Sequence, residues 1–103
     1  MQSNKQCMRD IIKYISENTN IKIDDDSRSI VLSKIGLSTI ITELSKDGKY
    51  QKDEIVYNIL KCYKYHLIEA NIFMSRNIII VDKSEINDTT LEGERFFNGE
   101  FKL

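Results

Sequence analysis

Proline and tryptophan are absent from this chain, glycine occurs only four times in 103 residues, and no apolar run is longer than the four residues 78–81. Without proline-rich or glycine-rich stretches, the collagen-like, linker and low-complexity classes are excluded. A run of four cannot cross a bilayer, which takes about 20 residues in a helix. No sign of charge dominates either: 15 basic and 16 acidic side chains give a net charge of -1 and a pI near 5.8. No overall field therefore draws the molecule toward nucleic acid, and any such contact must be local. Divided after Tyr50, the first part holds eight basic and seven acidic residues and the second seven and nine, so neither is a basic arm.

Cysteine is scarce as well. Cys7 and Cys62 fall in two different helical patterns, and no Cys-x-x-Cys or Cys/His ligand spacing surrounds the single His66. Free thiols, no metal and no cofactor are the expectation. The opening residues are polar and lead straight into an amphipathic segment with no leader-like apolar stretch, which reads as a cytoplasmic protein. What the chain does have is 41% hydrophobic and 30% charged residues, the balance of one globular domain over residues 1–103. Two cores from so short a chain would each lie near the size limit for stable folding.

Met8, Ile11, Ile12 and Ile15 recur at helical spacing, predicting a first helix over residues 4–18 with Ser3 or Asn4 as cap. Ile21, Ile23, Ile30 and Val31 flank the polar residues 24–29, which fits either two short extended pieces or a loop. Ile40, Ile41 and Leu44 predict a second helix over 38–45, capped by Ser38 and stopped by Asp47-Gly48. A third is predicted over 51–70, opening with Asp53 and Glu54 and burying Val56, Ile59, Leu60, Tyr63, Leu67 and Ala70. Residues 72–74 and 78–81 suit strands. Asp82-Lys83-Ser84 is the expected hairpin turn, with Ser75-Arg76-Asn77 competing. A short final helix starts at Thr89 or Thr90, with Thr89 and Glu92 fitting a capping box, and ends at Asn98-Gly99.

Three helices, a hairpin wing and a short C-terminal helix make an α+β, winged-helix-like order. Three blocks carry a further resemblance. Residues 7–18 (Cys-Met-Arg-Asp-Ile-Ile-Lys-Tyr-Ile-Ser-Glu-Asn), residues 50–71 with Asp-Glu-Ile-Val-Tyr near the start and His-Leu-Ile-Glu-Ala-Asn at the end, and residues 88–97 (Asp-Thr-Thr-Leu-Glu-Gly-Glu-Arg-Phe-Phe) cover a little under half the chain. In that order they resemble an uncharacterised bacterial, phage and prophage family catalogued only as a domain of unknown function and thought to be winged-helix. Where that family usually has Leu-Thr, Trp, Gly-His and Phe-Leu, this chain has Thr89-Thr90, Leu91, Gly93-Glu94 and Phe96-Phe97. The resemblance implies a fold and a mobile-element setting and names no catalytic residue.

On a winged helix the outward side of the third helix, with Tyr57, Asn58, Lys61, Lys64 and Tyr65, would face duplex DNA. Lysines there pair with phosphates, and Asn or Tyr hydrogen-bonds to base edges or backbone. Arg76 and Lys83 are the wing's cations, against the acidic Glu85, Asp88, Glu92 and Glu94. A protein partner, such as a host or defence protein inhibited by a phage product, would instead be gripped by Tyr57, Tyr65 and Ile68. A homodimer would use Phe96, Phe97, Phe101 and Leu103. Asp24, Asp25 and Asp26 lack the glycine and glutamate of a calcium loop, and Cys62 with His66 lacks the third partner a nucleophile needs, so the expectation is a binding protein and not an enzyme.

Overall fold

The computed structural model describes residues 1–100, so the expected dimer contacts Phe101 and Leu103 lie outside the described residues. Helix α1 spans Lys5–Asn18 and opens where the Asn4 side chain accepts a hydrogen bond from the Cys7 N–H at 3.1 Å. Cys7, Met8, Ile11, Ile12 and Ile15 are buried, the stripe expected of this segment. The chain then leaves the core. Strands β1 (Ile21–Ile23) and β2 (Ile30–Leu32) pair antiparallel, Ile21 opposite Leu32 and Ile23 opposite Ile30, which settles the open reading of this stretch in favour of two strands. Asp24 organises their connection. Its carboxylate accepts from the Arg28 N–H at 2.7 Å and from the Ser29 hydroxyl at 2.5 Å, and the Ser29 bond foremost pulls its pKa down to about 2.

Strand β3 (Ile35–Gly36) runs directly into α2 (Leu37–Ser45), which starts one residue before the expected Ser38 and has Gly36, not Ser38, in the cap position, with no side-chain cap. The Gly48 N–H bonds back to the Ser45 carbonyl at 3.2 Å, and Gly48 takes φ 75, the left-handed turn anticipated for Asp47-Gly48. Helix α3 spans Lys52–Lys64 and is followed by β4 (Ile68–Asn71), β5 (Met74–Ser75) and β6 (Ile78–Ile79). A 3-10 turn over Val81–Lys83, β7 (Glu85–Thr89) and α4 (Leu91–Phe97) complete the described order.

Strands β3, β7 and β4 form one antiparallel sheet in that order, with β7 in the middle. The small β5–β6 hairpin projects from between β4 and β7 and closes at Ser75-Arg76-Asn77, where Arg76 takes φ 57. The other expected turn, Asp82-Lys83-Ser84, is not the hairpin tip: it falls at the 3-10 turn leading into β7, and β7 pairs with β4 instead of with residues 78–81. Ser84 fixes that junction, its buried hydroxyl accepting from the Phe73 N–H at 3.0 Å and donating to the Ile80 carbonyl at 2.9 Å.

Helix α3 stops six residues before its expected end. The His66 N–H bonds to the Tyr63 carbonyl and the Leu67 N–H to the Cys62 carbonyl, at 3.2 and 2.8 Å, the paired closure of a Schellman motif. His66 occupies the left-handed position at φ 59 that glycine usually fills, so the terminus carried no glycine to announce it. The buried face is also turned by one residue, or about 100°: Ile55, Asn58, Ile59 and Cys62 are buried, while Val56 and Leu60 are only half-buried and Tyr63 is 42% exposed. Leu67 is buried and Ala70 half-buried as expected, but from beyond the helix.

Helix α4 is capped by Thr90, whose hydroxyl accepts from the Gly93 N–H at 3.0 Å, so the expected Thr89–Glu92 capping box does not form. Gly93 lies so close to β4's entry that a Cβ on it would sit 2.1 Å from the Leu67 carbonyl oxygen. Phe96 is buried and Phe97 half-buried beneath the Arg9 guanidinium, 5.5 Å from its ring centre. Of the expected dimer contacts among the described residues, Phe96 is therefore spent on the monomer's own packing, while Phe97 keeps part of its surface open.

Candidate nucleic-acid interface

The outward side of α3 holds four of the residues expected there. Tyr57 and Lys61 sit one turn apart, both half-buried, with the Lys61 ammonium 5.3 Å from the Tyr57 ring centre. Lys64 is exposed and Tyr65 is 39% exposed, its N–H held by the Lys61 carbonyl at 2.9 Å. Lys61 and Lys64 also occupy the last turn, where positive charge offsets the negative end of the helix dipole. The surface is therefore a tyrosine–lysine pair followed by a lysine and a tyrosine at the helix end.

Asn58 and Ile68 do not belong to it. Asn58 is buried, its Oδ1 accepting from the Asn4 N–H at 2.9 Å and its Nδ2 donating to the Glu54 carbonyl at 2.8 Å, so neither end is free to meet a base. Its task is to tie α3 to the start of α1. Ile68 is buried because α3 ends before it and the strand pairing, which sets it opposite Thr89, turns it into the core, which removes it as a protein anchor. Tyr63 takes a place on the surface that the sequence reading did not assign. It lines an open cleft with Lys64, His66 and Glu69 at the end of α3. A helix known to stop at Lys64 would have signalled it.

Arg76 and Lys83 are both exposed, Arg76 at the hairpin tip and Lys83 in the 3-10 turn, so the two wing cations sit on different elements. Beside Arg76 the hairpin presents Phe73, Met74 and Ile78 to solvent, an apolar character not read from the sequence.

Cys7 and Cys62 are free and fully buried, and burial first of all raises both thiols to about 12, far from the thiolate a nucleophile needs. His66 lies exposed beyond the helix end, away from the buried Cys62. Among the described residues no three His, Cys, Asp or Glu side chains gather as a metal set, and no helix is long and apolar enough to cross a membrane. A polar cluster the sequence did not reveal lies between α1 and the α2–α3 connection. Asp10 accepts from the Tyr50 hydroxyl at 2.6 Å, from Lys49 at 3.1 Å and from Gln6 at 2.9 Å. Burial acts to raise the Asp10 carboxyl, but these bonds outweigh it and hold it below the usual range.

No family model matches the chain, and no solved structure matches it significantly. The chain is similar to the protein translocase subunit SecA of Leptospira interrogans serogroup Icterohaemorrhagiae, in serovar Lai (strain 56601) and serovar copenhageni (strain Fiocruz L1-130). In each case identity is 24% over 95 residues, covering 86% of this chain and 10% of SecA. The chain thus spans about a tenth of the length of the curated relatives it matches.

Proposed function

We propose that this chain is a winged-helix-like, DNA-binding regulator of the phage or prophage type its sequence resembles. It grips duplex DNA with Tyr57, Lys61 and Lys64 on α3, Tyr65 at its end, Arg76 at the hairpin tip and Lys83 in the 3-10 turn. The observation that carries this reading is the connectivity. A helix, a short strand, two more helices and two strands bracketing a hairpin follow one another, with the last strand inserted between the first two in the sheet order β3–β7–β4. That layout leaves α3 with one side in the core and the other open, the presentation by which helix-turn-helix relatives offer a helix to the major groove. The reading is one of binding and not catalysis; the two thiols are sealed in the core and take no part in it. The SecA likeness covers too little of SecA to bring an activity with it.

Fluorescence titration of the full chain against labelled random duplex at two salt concentrations tests this. Binding that weakens steeply with salt is expected, and Lys61→Ala with Lys64→Ala should lower the affinity and reduce the salt slope by about 2. Absence of binding at low salt sinks the proposal.

One observation favours a second reading, a protein-binding module such as a phage-encoded inhibitor of a host or defence protein. The exposed Phe73, Met74 and Ile78 give the wing an apolar side that DNA does not require. With Ile68 buried, its anchors become Tyr57, Tyr65 and Phe73. Loss of a co-purifying partner on Tyr65→Ala or Phe73→Ala, at about 1 to 4 kcal/mol for an anchor, distinguishes it.

A further inference from the structure

The β1–β2 ribbon buries none of its six strand residues. Alternation along paired strands puts Ile21, Ile23, Ile30 and Leu32 on one face and Lys22 and Val31 on the other. The four aliphatic side chains are 62% to 68% exposed. At the ribbon's base an open cleft of about 330 Å³ separates Ile21 and Leu32 from Glu69, Asn87 and Asp88 on the sheet, so the sheet does not close over this face. An isolated two-stranded hairpin is only marginally stable in water and gains by having its apolar face covered.

We propose that the ribbon's aliphatic face is a dimerisation surface, covered by the same face of a second copy of this chain about a two-fold axis. Area supports it. With on the order of 100 Å² of apolar surface per side chain, four side chains from each copy remove about 800 Å². At the roughly 60% apolar share of such contacts, the whole interface is about 1,300 Å², inside the range of about 1,200–2,000 Å² for specific association. Composition selects the occupant. The face has no Tyr, Trp, Arg or Met, the residues that anchor unlike partners, and resembles instead a core divided between two copies. The tip argues against other surfaces, since Asp24, Asp25 and Asp26 against the single Arg28 repel DNA and anionic lipid alike. Each rung presents two aliphatic side chains, Ile21 with Leu32 and Ile23 with Ile30, so two ribbons stack as the layers of a small sandwich. The inference is independent of whether α3 binds DNA.

Sedimentation equilibrium of the full chain tests it. The wild type is expected at twice its 12.0 kDa mass. Ile23→Lys should weaken the dimer by about 100-fold or more, while Val31→Lys on the reverse face leaves it within about threefold. Both positions are exposed, so an unchanged far-UV circular dichroism spectrum separates lost association from lost folding. A wild type that stays monomeric at about 100 μM overturns the proposal and gives the face to another occupant, such as a lipid surface or a different protein. An Ile23→Lys chain that dimerises as tightly as wild type overturns it too.

Discussion

Asn58 shows how a polar side chain can belong to the core when both its ends are satisfied. Asn58→Ala leaves the Asn4 N–H without its partner, and we expect a loss of about 2 to 3 kcal/mol in urea unfolding, with no selective effect on DNA affinity beyond the folded fraction. Gly93 is constrained more severely, because the group facing it is the Leu67 backbone, which cannot rotate away. Gly93→Ala should cost about 3 kcal/mol or more, and at about 4 to 8 °C per kcal/mol in a domain of this size it lowers the melting temperature by more than about 12 °C. Asp10 makes stability depend on pH. Its folded pKa lies below the reference value of 3.8, so its contribution is fully present above that value and is lost as pH falls through the lower, folded one. Removing the Tyr50 hydroxyl bond with Tyr50→Phe should cost about 1 to 3 kcal/mol near neutral pH, and the gap from wild type should shrink once Asp10 protonates. Urea midpoints measured from pH 7 down to about 2 check both sign and window.

At the scale of elements, the rotated face of α3 is the measurable correction. Ile59→Ala should cost about 2 to 5 kcal/mol in chemical denaturation, whereas Tyr63→Ala, at an exposed position, should cost less than about 1. The residues themselves explain why one was legible and the other not. Met8, Ile11, Ile12 and Ile15 form an uninterrupted apolar stripe, so α1 and its core side follow directly from spacing. In α3 the stripe is interrupted by Asn58, whose place inside depends on Asn4, 54 residues earlier, and no local pattern contains that bond. The helix end is hidden similarly, since a histidine holds the left-handed position. The Asp47-Gly48 stop, where glycine does hold it, was readable. Strand β3 escaped notice because two residues carry no periodicity, and their partners in β7, Ile86 for Ile35 and Glu85 for Gly36, lie 51 and 49 residues away. Most of the candidate surface survived this uncertainty, because Lys61 and Lys64 are exposed or half-exposed for any helix phase that buries Ile59.

For the molecule as a whole, the fold divides into a core that holds itself together and a ribbon that contributes nothing to it. Ser33 and Asn20 close the ribbon at its base, with the Ser33 N–H bonded to the Asn20 carbonyl at 2.9 Å and the Asn20 N–H to the Ser33 hydroxyl at 2.7 Å. Replacing residues 21–32 by a short Gly-Ser link should therefore leave the melting temperature within about 4 °C of that of the Ile23→Lys chain, the monomeric reference, as calorimetry would show, because no buried side chain is removed. Around Thr90 the situation is reversed. The Thr90 hydroxyl donates to the His66 carbonyl at 2.6 Å while accepting from Gly93, and the Thr90 N–H reaches the Leu67 carbonyl at 3.1 Å. One threonine thus knots the exit of α3 to the entry of α4. Any force that prises α4 from α1 also unhooks the far end of α3, so events at α4 are felt at Lys64 and Tyr65.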